Sequence, residues 1–555
     1  MATAPTSALA TVLEETTLDT LRVSKGTDAI IVGAGASGGL AAMLLAQAGA
    51  RVLVLDAGPP ADWRNAALRR LTGKIVRRAL RPDVLGRLPA SIIPYGRQAI
   101  RALGRFRQPI QSQCFAWERA PEAFVDDVEC PYVTPPGRPF NWIRSRMLGG
   151  RVAVPGHGRQ YYRLGPADFA PDDGLSPHWP LQPAELDEWY AVVERCLGLS
   201  GMLDGLSCVP DSILASVEEF APSETLVREQ IVDRWPGAYP IMSRYAAPPQ
   251  WLEEAARTGR LQCRQGAVVR EIEVDEFGNV SGVSWIDHET RSEQRSFAPL
   301  VFLSASALES TRLLMLSRSK RSPAGLGGSS DALGRFLMDH VMVGVEGASP
   351  SRASGPPWDD GRCLYLPHFE SRAHDRIQTG RGHGIQLYQF ALGGGRSYFS
   401  AISFGEMLPR PENRVSLDPD RRDAWGIPIL RIDCALGETE LALVSDQLQA
   451  LHDLARLVDA TLTRVDKGPR PPGSAVHECG TARMGWDPAN SVLDPNNQCW
   501  DAQGLYVTDA SCFPSQGTQN PTLTILALTA RACNHALKGL GHKSGNAQDQ
   551  FETLG

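Results

Sequence analysis

The chain has 555 residues, of which 43% are hydrophobic and 21% are charged, and its formal net charge is −6 at pH 7. That length exceeds what a single hydrophobic core serves, so we expect at least two domains. The acidic balance argues against a nucleic-acid-binding protein, and the 11 cysteines form no Cys-x-x-Cys pair, so we expect no metal site.

Residues 1–26 contain Glu14, Glu15 and Asp19 and no apolar core, so we interpret them as an N-terminal extension and not as a secretory signal. No run of about 18 apolar residues occurs, which predicts no membrane span. We therefore expect a cytoplasmic protein.

The first folded unit predicted is strand, tight turn, helix and strand. An apolar run at 28–32 leads into a glycine-rich turn, a small-residue helix covers 39–50, and a second apolar run ends in an acid. The turn and the acid consist of Gly33, Gly35, Ala36, Ser37, Gly38 and Asp56.

Each residue type in this unit has a physical reason. Gly33 permits the turn, Gly35 lets the backbone approach a pyrophosphate, and Gly38 lets the helix pack closely on the strand. Ala36 and Ser37 lie in the turn before the helix, whose positive N-terminal end faces the phosphates. The unit predicts a dinucleotide site, and an acid at the position of Asp56, suited to ribose hydroxyls, favours FAD or NAD over NADP.

A basic segment follows at 61–112. Between Arg64 and Arg107, arginine and lysine residues alternate with Leu, Ile and Val, and acids are nearly absent. This pattern is typical of amphipathic helices, which form either a solvated lid or a surface for a membrane, an acidic partner or a neighbouring subunit.

Two shorter signals come next. Glu122, Asp126, Asp127 and Glu129 form an acidic run that we interpret as a solvated loop, with a substrate-facing role as the alternative. The adjacent Gly149 and Gly150 let backbone amides face a ligand without interference from a Cβ atom.

The middle of the chain predicts a helix at 183–197, short strands at 266–270, 280–285 and 300–303, and a small-residue turn at 304–306 leading into a helix that ends near 316. Residues 341–470 favour antiparallel strands, backed by a helix at 437–465.

The C-terminal region supplies the candidate chemistry. His477 is our candidate for the base that takes a proton from a substrate hydroxyl, because the pKa of an imidazole lies near working pH. Asn520 is the candidate side chain that holds the same oxygen without changing charge. Without Gly480-Thr481 and Asn520-Pro521 nearby, His477 would be interpreted as a core histidine.

Four motifs together carry a resemblance to a known family. They are Gly33–Gly38 with Asp56, Leu148–Gly150, Ser304–Glu309, and a C-terminal block that contains His477, Gly480-Thr481, Asp509-Ala510 and Asn520–Thr524. In these motifs, over about 28–540, the sequence resembles the glucose–methanol–choline (GMC) FAD-dependent oxidoreductases. It is most similar to the branch around glucoside 3-dehydrogenases, gluconate dehydrogenase flavoprotein subunits and pyranose oxidases.

The resemblance implies an α/β fold with a Rossmann-like FAD-binding domain built from discontinuous segments, at 27–60, 140–165, 255–320 and 475–545. A substrate-binding domain with a mainly antiparallel sheet and helices would cover 166–254 and 321–474.

The resemblance also implies site residues. Beyond the glycine-rich turn and Asp56, the implied FAD-binding residues are Gly149, Gly150, Val268 at the adenine end, Ala305, Asp509, Ala510, Pro521 and Thr522, with His477 and Asn520 catalytic. Some relatives attach FAD through a histidine near the position of Val154, so we expect non-covalent FAD here. His157 is interpreted as a structural residue, with a role in the site as the alternative.

The implied activity is oxidation of an alcohol to a carbonyl by hydride transfer to flavin N5. A sugar or glycoside hydroxyl is the first choice of substrate, and an aminoglycoside or other natural-product alcohol is the alternative. A non-redox flavin-dependent lyase and a flavin-binding protein without activity are rival hypotheses. Oxygen, a quinone or a redox protein stays open as the electron acceptor.

Overall fold

The computed structural model describes residues 26–59, 102, 106–157, 159–171, 174–350, 361–369, 382–393 and 396–540. The predicted N-terminal extension and most of the basic segment at 61–112 therefore lie outside the described residues.

The described α-helices are α1 Ala36–Gln47, α2 Pro166–Phe169, α3 Pro183–Leu197, α4 Pro222–Arg234, α5 Trp251–Arg257, α6 Ala307–Leu316, α7 Glu438–Leu457 and α8 Thr522–Gly539. The described strands are β1 Ala29–Val32, β2 Val52–Asp56, β3 Ser200–Gly201, β4 Ser216–Val217, β5 Ile241–Met242, β6 Leu261–Gln265, β7 Ala267–Val274, β8 Val280–Asp287, β9 Glu293–Phe297, β10 Leu300–Leu303, β11 Val341–Pro350, β12 Leu364–Phe369, β13 His383–Gly393, β14 Arg396–Gly405, β15 Arg414–Arg422, β16 Pro428–Asp433, β17 Thr461–Val465 and β18 Leu505–Val507.

A five-stranded parallel sheet organises the N-terminal, middle and C-terminal parts of the chain. Its order is β18-β10-β1-β2-β6, so segments more than 450 residues apart in sequence share one sheet. Strands β1 and β10 are short apolar runs with every residue buried, as expected for parallel strands covered on both faces. The loops after β1, β10 and β18 leave from the carboxyl edge of this sheet, where α/β folds bind ligands.

A six-stranded sheet of order β17-β11-β14-β13-β12-β5 forms the second layer, with antiparallel pairing between its strands. One face is apolar and packs in a core with α4 and α7, to which Val343, Leu387 and Ala401 contribute. Because side chains alternate along a strand, Gln386 and Phe404 lie on the opposite face. That face is the one that meets the candidate site.

The predicted α/β class, with a Rossmann-like part and an antiparallel sheet, is confirmed. The predicted helix at 437–465 is wrong over its last eight residues. Helix α7 ends at Leu457, Asp459 takes a left-handed φ of 54°, and Thr461–Val465 pairs as β17 with β11. The alternating, β-branched sequence of that stretch suits an edge strand better than a helix.

Candidate functional site

The glycine-rich turn lies between the parallel sheet and the first turn of α1. Gly33 has a φ of +94°, and a Cβ atom there would lie 2.5 Å from the Ser304 carbonyl oxygen. A Cβ atom on Gly38 would lie 1.8 Å from the Gly33 carbonyl oxygen. The turn therefore requires glycine at both positions for close packing of helix and strand.

The N-terminus of α1 has the features of an anion site. Gly35 is its N-cap residue, no side chain caps the helix, and no acid lies in its first turn. Its free backbone amides, including those of Ala36 and Ser37, carry the positive end of the helix dipole. Gly150 lies against Gly35, and a Cβ atom on Gly150 would be 2.7 Å from the Gly35 Cα atom. This all-glycine cradle fits a dinucleotide pyrophosphate.

The side chain of Ser37 is occupied by the protein. Its Oγ atom lies 3.0 Å from Ser304 Oγ, 2.8 Å from Thr508 Oγ1 and 3.0 Å from Thr529 Oγ1. These contacts join α1 to the loops after β10 and β18 and to α8. Ser37 can therefore serve a cofactor through its backbone amide, while its hydroxyl holds the helix on the sheet.

The two predicted acids also support local backbone. Asp56 Oδ2 accepts from Ala34 N at 2.9 Å, and Asp56 Oδ1 accepts from Gly58 N at 2.7 Å. Asp509 Oδ1 accepts from Ser511 N at 3.0 Å. Burial raises the pKa of Asp56 and of Asp509, and the bonds that both accept oppose that shift. Each carboxylate fixes a loop at the ligand-binding edge of the sheet.

The remaining cofactor candidates occupy three places around that edge. Gly149 and Ala305 lie in loops next to the glycine-rich turn, and Val268 is buried in β7. Ala510 begins the 3-10 turn Ala510–Cys512. Pro521 and Thr522 lie at the start of α8. Like α1, α8 has neither a side-chain cap nor an acid in its first turn.

His477 lies in a loop organised by a buried carboxylate. Asp339 is fully buried; its Oδ2 accepts from Gly473 N at 2.6 Å and Ala475 N at 3.2 Å, and its Oδ1 accepts from His477 N at 3.0 Å. Burial and the neighbouring Glu478 carboxylate raise the pKa of Asp339 to about 7. One side chain thus holds three backbone amides of the loop.

The backbone next to His477 is strained. Val476 has a φ of +65°, and Thr481 has a φ of +77°, although both residues are β-branched. Each such conformation costs about 1–3 kcal/mol and persists only where the surroundings enforce it. Arg151 contributes, because its Nη1 atom donates to Val476 O at 3.1 Å and to Glu478 Oε2 at 2.9 Å. Arg151 thereby links the Gly149–Gly150 loop to the His477 loop.

A chain of hydrogen bonds defines the tautomer of His477. His340 Nε2 lies 3.0 Å from the Gly517 carbonyl, which can only accept, so His340 carries its proton on Nε2. His340 Nδ1 is then an acceptor, and His477 Nδ1, 2.8 Å away, must donate to it. His477 Nε2 is left with a lone pair and faces Asn520 Nδ2 at 3.2 Å.

Both rings are held in the neutral state. Burial lowers the pKa of His340 to about 4. Burial, followed by the proximity of His340, Arg151 and His157, lowers the pKa of His477 well below 6.5. Phe404 packs on the His477 ring at 5.6 Å between centroids. The site therefore presents one unprotonated imidazole nitrogen beside one amide donor.

Sequence reasoning missed His340, Asp339 and Gln516. Gln516 Nε2 donates to His477 O at 2.8 Å and so fixes the loop from a second side. A signal for the first two was present, since Asp339-His340 is a charged pair inside an otherwise apolar stretch before β11. An acid and an imidazole placed together in a buried run imply specific partners.

The structure also bears on two interpretations that the sequence left open. Asp127 Oδ1 accepts from Gln111 Nε2 at 2.7 Å, and the buried Asp126 pairs with Arg107, so these two acids brace local loops and are not solvated as the sequence suggested. The ring of His157 lies 5.3 Å from that of Phe115 and close enough to His477 to lower its pKa, which fits both the structural interpretation and the alternative.

Among the described residues, no group of three or more His, Cys, Asp or Glu side chains is arranged to hold a metal ion. Within the same part of the chain, no helix is long and apolar enough to cross a bilayer.

Comparisons with known proteins agree with this geometry. The family profile described as GMC oxidoreductase matches residues 409–529, and an NAD(P)-binding Rossmann-like domain profile matches residues 31–61. A 2-methyl-1,2-propanediol dehydrogenase of Mycolicibacterium austroafricanum is 28% identical over 453 residues, covering 70% of this chain and 80% of that protein. A paromamine 6'-oxidase of Streptomyces fradiae is 27% identical over 427 residues, covering 70% and 78%.

Among solved structures, an FAD-dependent oxidoreductase from Chaetomium thermophilum superposes with a TM-score of 0.63 at 14% identity, covering 93% of this chain and all of that one, which supports the fold. Fold, cradle and relatives together define an FAD-dependent oxidoreductase that acts on CH–OH groups. Residues 409–529 thus match the GMC oxidoreductase family, to which the sequence motifs showed a resemblance.

Proposed function

We propose that this protein oxidises a hydroxyl of a sugar or glycoside to a carbonyl, with His477 Nε2 as the base and Asn520 Nδ2 as the hydrogen-bond donor to the same oxygen. The observation that carries the proposal is the tautomer of His477, whose unprotonated Nε2 faces Asn520 Nδ2 at 3.2 Å. A substrate hydroxyl that replaces this direct bond would donate to the imidazole and accept from the amide.

The reaction needs two bonds to break together. As the C–H bond gives up its electron pair as hydride, the O–H proton moves to His477 Nε2 and the C=O bond forms. FAD, when bound, would supply the hydride acceptor, and the cradle of Gly35 and Gly150 would hold it without a covalent link. The Asn520 amide stabilises negative charge that develops on the oxygen.

His340 supports the imidazolium that results. Once His477 accepts the proton at Nε2, its Nδ1–H still donates to His340 Nδ1, which carries a lone pair. The Asp339 carboxylate accepts from the backbone N–H of His477 and so holds the loop that carries the ring. Both groups are in place before the reaction, so little reorganisation is needed.

The substrate class is supported by the relatives and by the sheet face beside the site. Sugar dehydrogenases, aminoglycoside oxidases and C-glycoside 3-oxidases are among the similar proteins. Gln386 and Tyr388 present polar groups near Asn520, as suits a polyhydroxylated ligand. An aminoglycoside alcohol is the second candidate substrate, because a paromamine 6'-oxidase is among the similar proteins.

The test of the proposal is anaerobic reduction of the FAD-loaded enzyme. Sugars and glycosides are expected to bleach the flavin absorbance, with aminoglycosides and simple alcohols as comparison sets. A panel in which no hydroxyl compound bleaches the flavin would overturn the proposal and favour a lyase or an inactive flavin-binding protein.

The pH dependence of reduction follows from the lowered pKa of His477. A base works in its neutral form, and burial makes the protonated form of this imidazole costly. We therefore expect the reduction rate to stay flat from about pH 8 to about pH 6 and to fall only in more acidic solution. Anaerobic stopped-flow traces at saturating substrate measure this profile. A rate that falls with a midpoint at or above 6.5 would contradict the base assignment.

A further inference from the structure

Asn520 can aid the reaction only in one of its two amide orientations. With Nδ2 towards His477 Nε2, the amide donates to a lone pair, whereas the flipped amide would place two acceptors face to face. The group that selects the orientation must bond Asn520 from the other side. That group is Gln386, whose Nε2 donates to Asn520 Oδ1 at 2.8 Å.

The orientation of Gln386 is set in turn by Tyr388, two residues along β13 on the same face of the sheet. The Tyr388 hydroxyl donates to Gln386 Oε1 at 3.0 Å. The Tyr388 oxygen accepts from Gln160 Nε2 at 2.9 Å, so the hydroxyl proton of Tyr388 is the one that bonds Gln386. Gln160 Nε2 also donates to the Gly361 carbonyl at 3.0 Å, which fixes the Gln160 amide.

The chain of hydrogen bonds is therefore anchored by a backbone carbonyl at each end, at Gly361 and at Gly517. Between them every bond points the same way, from Gln160 through Tyr388, Gln386, Asn520 and His477 to His340. Bonds aligned in one direction polarise one another, and no single amide in such a chain can flip alone. Gln160 and Gln386 are both buried, so a lost partner would not be replaced freely by water.

We propose that Gln386, supported by Tyr388 and Gln160, is a positioning residue that fixes the Asn520 amide so that its Nδ2 atom faces the lone pair that His340 leaves on His477 Nε2. This inference rests on the proposed function for its kinetic consequence, but its structural content concerns only the protein. Gln386 contacts neither the reacting oxygen nor the base; it acts through Asn520.

The Gln386→Glu variant reverses the chain without changing its size. A carboxylate has no N–H to give Asn520 Oδ1 and instead accepts from Asn520 Nδ2, which turns the amide over. Asn520 Oδ1 then faces the lone pair of His477 Nε2, since His340 keeps the His477 proton on Nδ1, and the amide no longer offers a donor to the substrate oxygen. The Tyr388 hydroxyl still donates to the new carboxylate and helps to keep it ionised.

Two readouts test the variant. In ¹⁵N-histidine-labelled protein, the Nε2 resonance of His477, assigned by its absence from His477→Ala, is expected to shift because that nitrogen loses its hydrogen-bond donor, while Nδ1 keeps its proton. The rate of anaerobic flavin reduction is expected to fall about 10²-fold, at the lower end of what loss of a general base costs. The KM for substrate and the ratio of bound FAD to protein should change much less.

Gln389→Glu is the matched control. It makes the same substitution three residues further along β13, where Gln389 Nε2 bonds Ser349 Oγ at 3.1 Å, outside the chain. Its reduction rate and its His477 spectrum should match those of the wild type. Tyr388→Phe is a milder second variant, which removes one hydroxyl, and should show a smaller shift of the His477 Nε2 resonance with a roughly tenfold slower rate.

An unchanged His477 Nε2 resonance in both Gln386→Glu and Tyr388→Phe would overturn the inference. A wild-type reduction rate in Gln386→Glu would do the same. If no substrate reduces even the wild type while the Nε2 resonance shifts in Gln386→Glu, the proposed function fails and the positioning role stands.

Discussion

The His477→Ala variant is expected to purify with FAD bound and to be reduced by its alcohol substrate about 10²–10⁴-fold more slowly than the wild type. Without an imidazole, the substrate oxygen keeps its proton while hydride leaves, so the developing product carries positive charge. The cradle of Gly35 and Gly150 is untouched by the change, which is why cofactor binding should survive. Anaerobic stopped-flow absorbance measures the rate, and the flavin-to-protein ratio measures retention.

The loss should be specific to this imidazole. His178→Ala removes an exposed histidine outside the site and is expected to leave both measurements unchanged. If His477→Ala is reduced at the wild-type rate, the base lies elsewhere. If it loses FAD, the kinetic defect has a structural origin, and the milder His477→Asn change becomes the informative comparison.

The nucleotide-binding half of the protein was predictable because its signals are local. Gly33 and Gly38 are required by backbone atoms within a few residues or in the adjoining strand, and the order strand, turn, helix, strand is written in consecutive sequence. The same holds for helix 183–197, which the structure reproduces as α3.

The candidate site was predictable only in part. His477 and Asn520 stand out through the motifs around them, and their proximity follows from the family resemblance. His340, 137 residues before His477, bonds it through a contact that no local pattern encodes. The tautomer of His477 depends on that contact, so the protonation state of the base could not be derived from sequence.

The sequence also could not show whether each carboxylate binds backbone amides or a ligand. Asp56 matches the position of a ribose-binding acid, yet both its oxygens already accept backbone amides. Asp339 was not singled out, although it holds three amides of the His477 loop. An acid that positions backbone and an acid that binds ligand look alike in sequence, because the distinction lies in which donors surround the carboxylate after folding.

The Gly150→Ala variant is expected to lose most of its FAD. Gly150 adopts φ 62° and ψ −156°, a conformation almost restricted to glycine. The added methyl group would also lie 2.7 Å from the Gly35 Cα atom, and backbone cannot move aside as a flexible side chain can. Strain and overpacking of this kind each cost about 1–3 kcal/mol. To relieve this strain and overpacking, the Gly149–Gly150 loop must move away from the N-terminus of α1, where the pyrophosphate would bind.

Gly137→Ala separates backbone strain from the clash of the added methyl group. Gly137 also has a positive φ, of +76°, but nothing lies within 4 Å of its Cβ position. Both variants should lose some thermal stability to backbone strain, by about 1–2 kcal/mol. Only Gly150→Ala should weaken FAD binding, with a Kd roughly 10–100-fold higher than that of the wild type. The reason is that the Gly149–Gly150 loop must lie against Gly35 when FAD is bound. Fluorescence titration of the apoproteins with FAD measures this difference. Equal FAD affinity in the two variants would show that the contact between Gly35 and Gly150 does not shape the cofactor site.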